Sequence, residues 1–251
     1  MKYLVNKAVS FLEKKGYGII HPSQYKSDME PEFLEIWEKA KQYTMISVER
    51  AYNIYKSVEY VVKNNIPGDF AECGVWKGGA CMIMAYALLK LGKQNKKINL
   101  YDTFSGMTEP DENDCISWTG KNMKERWKKS KDDKGNYLWA AGFEEVKKNM
   151  LSTGYPENMI EFIQGDVCKT LESKTPALIS LLRLDTDWYE STKKELEVLY
   201  PLLNKNGVLI IDDYGHFTGA KKAVDEYFSD KTGAKIFLSR IDYTGRVGVK
   251  L

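Results

Sequence analysis

The stretch DFAECGVWKGG (Asp69–Gly79) is where the sequence changes character. Phe70 to Val75 reads as a short strand, Gly74 and the pair Gly78-Gly79 supply a tight turn, and Gly79 to Leu91 is an apolar helix. Downstream the same strand-then-helix unit recurs. Strands are expected at Lys97 to Tyr101, Ile160 to Gln164, Leu178 to Leu184 and Val208 to Ile211, with helices at about Glu144 to Leu151, Glu190 to Leu203 and Gly219 to Phe228. Such alternation means a parallel sheet covered by helices on both faces. Lys235 to Ser239 and Arg246 to Leu251 flank the turn Asp242-Tyr243-Thr244-Gly245 with no helix between them, which predicts an antiparallel hairpin at one sheet edge. The expected fold is therefore α/β, a doubly wound, mostly parallel, seven-stranded sheet of Rossmann-like type.

Upstream of Asp69 the text is helical. Residues 2 to 15 have helical spacing and stop at Gly16-Tyr17-Gly18, and a loop containing Pro22 and Pro31 follows. Helices are expected at Glu32 to Tyr43 and Val48 to Lys63, the second with Ser47 as its cap, before Asn64-Asn65-Ile66-Pro67-Gly68 ends the run. One domain over residues 1–251 is expected, with 1–66 as an N-terminal helical extension. Thr103 to Ala140 is long, polar and Trp-dotted where a short connection would do, so 103–140 reads as an insertion that is either a functional lid or disordered.

Composition narrows the class. Hydrophobic residues at 43%, charged residues at 29% and a net charge of +2 describe a soluble globular protein with no electrostatic reason for a nucleic-acid or anionic-membrane partner. Four scattered cysteines form no CxxC pair, so neither a zinc module nor a disulfide framework is indicated. The amphipathic start lacks a cleavage site and no apolar run spans a bilayer, which predicts a cytoplasmic protein. A homo-oligomer is expected, with the N-terminal helices either supporting the dimer or covering the active site.

Ligands of an open α/β sheet bind beyond the carboxyl ends of the strands. There the first strand delivers Glu72-Cys73-Gly74-Val75-Trp76-Lys77-Gly78-Gly79, a turn permitting close backbone approach and opening a helix N-terminus. It lacks the GxGxxG of dinucleotide sites. Asp102 ends the second strand, where an acid can hold ribose hydroxyls or simply cap a turn; Asp166, in Gln164-Gly165-Asp166-Val167, can meet an adenine ring. The fourth strand runs LLRLDTD to Asp185 and Asp187, and the fifth runs VLIIDDYGH to Asp212 and Asp213. Four carboxylates brought together repel unless a cation or proton intervenes, and oxygen-only donors favour Mg²⁺; the competing view has them capping the following helices. Arg183, inside the fourth strand, needs an acidic partner, for which Glu72 is the candidate.

These motifs together resemble the macrocin O-methyltransferase family: Asp69–Gly79, then Leu100-Tyr-Asp-Thr-Phe-Ser-Gly-Met107, Leu184-Asp-Thr-Asp-Trp-Tyr189 and Ile211-Asp-Asp-Tyr-Gly-His216. Known members methylate sugar hydroxyls of macrolide and aminocoumarin antibiotics with S-adenosylmethionine (SAM) and Mg²⁺, on the class I methyltransferase fold. The resemblance runs from Thr44-Met45 through Phe228 and gives little help with the first forty residues or the interior of the insertion. It implies SAM contacts from Glu72, Gly74, Trp76, Gly78, Asp102 and Asp166, with Thr103 and Phe104 beside the ribose or adenine. It implies metal ligation by Asp185, Asp212 and Asp213, with Asp187 as general base and His216 as an alternative base or substrate hydrogen-bonder. The expected function is Mg²⁺-dependent methyl transfer from SAM to a hydroxyl of a sugar or of a sugar-bearing small molecule or glycan. The alternatives are a non-sugar hydroxylated acceptor, a nicotinamide oxidoreductase and a non-catalytic SAM-binding protein.

Overall fold

The computed structural model describes residues 11–12, 14–15, 26–135, 137–229 and 235–251. Most of the first expected helix and its glycine stop lie outside them. The helices are α1 (Pro31–Ala40), α2 (Val48–Lys63), α3 (Gly79–Lys90), α4 (Lys124–Lys129), α5 (Phe143–Leu151), α6 (Val167–Thr170), α7 (Tyr189–Leu202) and α8 (Thr218–Tyr227). The strands are β1 (Asp69–Cys73), β2 (Ile98–Asp102), β3 (Ile160–Gln164), β4 (Ile179–Leu184), β5 (Leu203–Ile211), β6 (Ser239–Arg240) and β7 (Arg246–Val249). Ser47 caps α2 as its motif predicts, its side chain accepting a hydrogen bond from the Arg50 amide.

The seven strands form one sheet in the order β3-β2-β1-β4-β5-β7-β6. β1 to β5 are parallel, and β7 runs antiparallel between β5 and β6, so the expected fold class and closing hairpin are both found. Two expected strands change most. β5 begins five residues early, at Leu203, because that residue pairs with Ile179 across the sheet. β6 shrinks to Ser239–Arg240 against the expected Lys235 to Ser239, since it is an edge strand with one neighbour and Phe237 beside it stays exposed.

Each strand alternates its side chains between two cores. Phe70, Ile98, Leu100, Leu181, Val208 and Ile210 face one layer; Ala71, Cys73, Leu182, Leu184, Leu209 and Ile211 face the other. α1, α2, α3 and α5 cover the first layer, while α7 and α8 cover the second. The helical preface is thus part of the core. Ile54 and Val58 of α2 are wholly buried, and each such side chain contributes about 1.5–3 kcal/mol.

The chain leaves β1 toward β2 and β3, then returns to place β4 on the other side of β1. A crevice opens at the carboxyl ends of β1 and β4, where the strand order reverses. Gly74 is essential to this crossing. Its φ is +80°, and a Cβ built there would lie 2.1 Å from the Asp185 carbonyl oxygen. We therefore expect Gly74→Ala to lower the unfolding free energy by about 2–4 kcal/mol, through left-handed strain plus overpacking, as read by urea denaturation.

Beneath the crevice Glu195 of α7 is fully buried and accepts the Thr186 hydroxyl at 2.8 Å. Burial pushes its pKa up to about 8, with the Thr186 hydroxyl and Cys73 thiol opposing the shift. It is therefore largely protonated in the folded protein at neutral pH. An unfolded glutamate ionises from about pH 4, so the unfolded state sheds this proton first, and stability falls as pH rises from about 4 to 8. Glu195→Gln should match wild type near pH 4.5 and melt several degrees higher at pH 8, as followed by circular dichroism.

Candidate active site

The two acidic strand ends meet in the crevice. Carboxylate oxygens of Asp185, Asp187 and Asp213 all lie within 4.8 Å of one another. Local backbone brings this about: Asp185 continues β4 through its amide to the Cys73 carbonyl, and Asp187 turns back with φ +66° while the Trp188 amide closes on the Thr186 carbonyl at 2.7 Å. A left-handed non-glycine residue costs about 1–2 kcal/mol, so the surroundings hold Asp187 in place against strain. Burial pushes Asp187 up to about 8, opposed by a hydrogen bond with Asp213 and reinforced by the charges of Asp185, Asp212 and Asp114. Asp185 and Asp213 are driven well above the usual carboxylate range by the same desolvation and repulsion, although Arg183 pulls Asp185 back. Asp213 Oδ2 is buried without a hydrogen-bond partner. Three crowded carboxylates, one of which has an unsatisfied oxygen, fit a hard cation that keeps some of its own water or ligand oxygens.

Asp212 is placed differently. Arg183 takes one of its oxygens and Arg50 the other. Arg183, with 1% of its side chain exposed, also binds Glu72 and reaches Asp185 at 2.7 Å. Glu72 and Arg183 are register partners on β1 and β4, so the pairing expected for this buried charge is the one found. Arg50 ties the cluster to the hairpin turn through Asp242 at 3.0 Å, and Ser47 binds the same carboxylate oxygen at 2.8 Å. Thr244 from that turn donates to the Asp212 carbonyl at 2.8 Å. The resemblance groups Asp185, Asp212 and Asp213; the geometry groups Asp185, Asp187 and Asp213, with Asp212 turned to the two guanidinium groups.

The cofactor candidates divide between two adjoining cavities. One is lined by Glu72, Val75, Trp76, Arg183 and all four aspartates; the other by Gly74, Asp102, Thr103, Gly165, Asp166 and Thr186. Asp102 accepts the Val75 and Trp76 amides at 2.8 and 3.2 Å on one oxygen and the Phe104 amide at 2.7 Å on the other, so it braces the glycine turn. Asp166 caps α6, accepting the Cys168 amide at 3.0 Å. Two candidates stand back from the cavities. Phe104 is buried edge-on against Phe143, with ring centroids 5.4 Å apart, and Gly78, with φ +87°, is the turn residue before α3, where a Cβ would meet Val146 at 3.3 Å.

His216 lines the first cavity, its Nδ1 3.1 Å from the Tyr243 hydroxyl. Burial and the nearby Arg50 charge lower its pKa, so it is neutral at pH 7. The insertion packs against this side of the site. Ile116 bridges to Phe217, the Ser117 amide donates to the His216 carbonyl at 2.9 Å, and the Trp188 indole donates to the Thr108 carbonyl at 2.9 Å. Its described residues are thus tied to the Asp213 turn, and Trp139 from it lines the cavity. Trp127 and Trp188 are buried, whereas Trp118 is exposed.

Arg50, Met45, Tyr243 and Thr244 also line the site, beyond the residues that its sequence motifs indicate. For Arg50 a signal exists: it shares the buried stripe of α2 with Ile54, Val58 and Val61, a place where a charge needs a partner. For the others no local pattern distinguishes them, because proximity comes from the hairpin and the loop before α2 converging on β5.

Known proteins resemble this chain in sequence and in fold. The sequence matches the family described as Macrocin-O-methyltransferase (TylF) over residues 12–248. It is 34% identical over 188 residues to the demethyldecarbamoylnovobiocin O-methyltransferase of Streptomyces niveus, covering 75% of this chain and 68% of that one. It is 30% identical over 218 residues to an O-methyltransferase of Streptomyces olivaceus named for the 4'-oxygen of a rhamnosyl-tetracenomycin, covering 87% and 79%. The solved structure of the O-methyltransferase NovP superposes with a TM-score of 0.72 at 32% identity, over 83% of this chain and 82% of that one. The oxidoreductase and non-catalytic readings are thereby set aside. The chain belongs to the macrocin O-methyltransferase family and is a SAM-dependent O-methyltransferase.

Proposed function

We propose that this protein transfers the methyl group of SAM to a hydroxyl of a sugar, or of a sugar-bearing natural product, with Mg²⁺ as the assisting ion. The observation that carries the reading is the convergence of Asp185, Asp187 and Asp213 within 4.8 Å in the crevice beside the glycine turn. The names of the relatives, each given to an O-methyltransferase of an antibiotic or its sugar, support the acceptor class. A sugar hydroxyl is a weak nucleophile, and an in-line attack on a cationic methyl donor needs an oxygen with developing negative charge. When bound, a divalent ion lowers the pKa of hydroxyls that chelate it and orients them.

The chain's own residues do the rest. Asp185 and Asp213 would hold the ion under either grouping, and the buried, partnerless Oδ2 of Asp213 supports that role. Asp187, beside them in the same cavity, would take the proton of the acceptor hydroxyl: its carboxyl, held at about 8 by burial and the neighbouring acids, ionises once a cation offsets that repulsion. Arg183 and Arg50 keep Asp212 fixed, and through Asp185 Arg183 also orients the ion-binding edge. Gly74, Trp76, Asp102 and Asp166 would receive the nucleoside and methionine portions of SAM, with Asp102 holding the turn in shape. The bound geometry itself, oxygen in line with methyl and sulfur, supplies much of the remaining acceleration.

Calorimetric titration with S-adenosylhomocysteine, with and without Mg²⁺, tests the reading directly: absence of micromolar binding would overturn it. Asp187→Asn should leave that affinity within about twofold of wild type while lowering turnover by about 10²–10⁴, the ordinary worth of a general base. Normal turnover in this variant removes Asp187 from the role. Asp213→Asn should weaken Mg²⁺ binding at least tenfold, and more than Asp212→Asn does, because Asp212 already has two guanidinium partners.

A further inference from the structure

Glu195 is a carboxyl where an apolar side chain would serve stability better. It shares the buried stripe of α7 with Leu196, Leu199 and Tyr200, is wholly buried, and lines neither of the two cavities. A side chain of similar length without the carboxyl would fill the position and avoid the cost of burying a polar group. Such a local inconsistency marks a place where the fold serves something besides its own stability. The close partner of Glu195 is the Thr186 hydroxyl, which donates to Oε1 at 2.8 Å. Oε2 has no hydrogen-bond partner, only the weakly donating Cys73 thiol nearby.

Thr186 is the residue between Asp185 and Asp187. On one side of it the Asp185 amide is fixed to the Cys73 carbonyl at 2.8 Å. On the other the Trp188 amide closes on the Thr186 carbonyl at 2.7 Å, and the Ser191 hydroxyl holds the Trp188 carbonyl at 3.1 Å. The Thr186–Glu195 bond ties the middle of this turn to α7. Two forces act against the tie: the left-handed φ of +66° at Asp187, and the repulsion among Asp185, Asp187 and Asp213, whose oxygens lie within 4.8 Å of one another. Both are relieved if the turn opens and the carboxylates spread.

We propose that Glu195 is a positioning residue that acts through the Thr186 hydroxyl to hold Asp185 and Asp187 at the spacing a divalent ion requires. This rests on the ion-assisted methyl-transfer reading above, and adds to it a buried group outside both cavities that keeps the acidic cluster crowded. The stability given up by burying this carboxyl is, on this view, returned as ion affinity.

Mg²⁺ titrated calorimetrically at pH 8 into protein saturated with S-adenosylhomocysteine tests the assignment, together with thermal melting. Glu195→Met should melt no lower than wild type and yet bind Mg²⁺ about tenfold more weakly, the effect of losing one buried hydrogen bond, with S-adenosylhomocysteine affinity within about twofold. A purely structural role would not move stability and ion affinity apart in this way. Glu195→Gln, which keeps the acceptor, should bind Mg²⁺ within about threefold of wild type. Thr186→Val should weaken Mg²⁺ as Glu195→Met does, while Thr186→Ser, which keeps the hydroxyl, should restore it. The double variant of Thr186→Val and Glu195→Met should bind no more weakly than the weaker single one, because both remove the same bond. Unchanged Mg²⁺ affinity in Glu195→Met and Thr186→Val overturns the assignment, and so does a loss in Glu195→Gln equal to that in Glu195→Met. Additive losses in the double variant overturn it as well, since the two residues would then act independently. Failure of the wild type to bind Mg²⁺ while S-adenosylhomocysteine still binds defeats the ion reading itself, and this assignment with it.

Discussion

The Arg183 guanidinium, wholly buried in the middle strand of the sheet, is the constraint around which the crevice is organised. A lone charge at that depth would be expelled or neutralised, so the fold must bring carboxylates to it from the neighbouring strands. β1 contributes Glu72, the residue just past β4 contributes Asp185, and the residue just past β5 contributes Asp212. A one-residue slip of β4 would turn Arg183 to the opposite face and strand every one of these partners. The ion-pair cluster thus enforces the strand register that places Asp185, Asp187 and Asp213 together. Such a cluster is weak evidence for net stability, but removal of any partner leaves the others uncompensated.

Arg50 extends the same logic to the periphery. Its α2 helix buries an apolar face against one side of the sheet, and the arginine reaches from that face to Asp212 and to Asp242 in the hairpin. The helical preface, the end of β5 and the closing hairpin therefore share one charged junction. The insertion adds a second junction by pairing with the residues just after Asp213. Segments far apart in sequence and remote from the sheet's centre consequently reach the same few ångströms of the site. This convergence gives the cavity walls from Met45, Trp139 and Tyr243.

Much of this is legible in the sequence, for reasons that differ by element. β3 and α2 have the expected bounds, because a clean period and a Ser cap are local signals. Sequence patterning starts β5 only at Val208, because Asn204-Lys205-Asn206-Gly207 has turn chemistry and only pairing with β4 and β7 makes it strand. The short α6 leaves no signal in the sequence, because four residues carry no periodicity. At the site, the four aspartates could be assigned to strand ends from alternation alone. Which of them face one another could not, because Asp212 and Asp213 are sequence neighbours whose directions depend on two arginines from other elements. Gly78 and Phe104 show the same limit from the other side, since each sits in a ligand-like motif while its contacts are packing contacts.

Local chemistry by itself determined the strand–helix alternation, the parallel sheet with its closing hairpin, the glycine turn after β1 and the acidic ends of β4 and β5, because each of these is written in short-range patterns of polarity and chain flexibility. Only the tertiary structure decided that Asp187 joins Asp185 and Asp213, that Asp212 turns to Arg50 and Arg183, and that the insertion and hairpin frame the mouth of the cavity. The physical reason is that a buried charge takes its direction from whichever opposite charge the fold brings within reach, and that partner here lies up to 192 residues away along the chain.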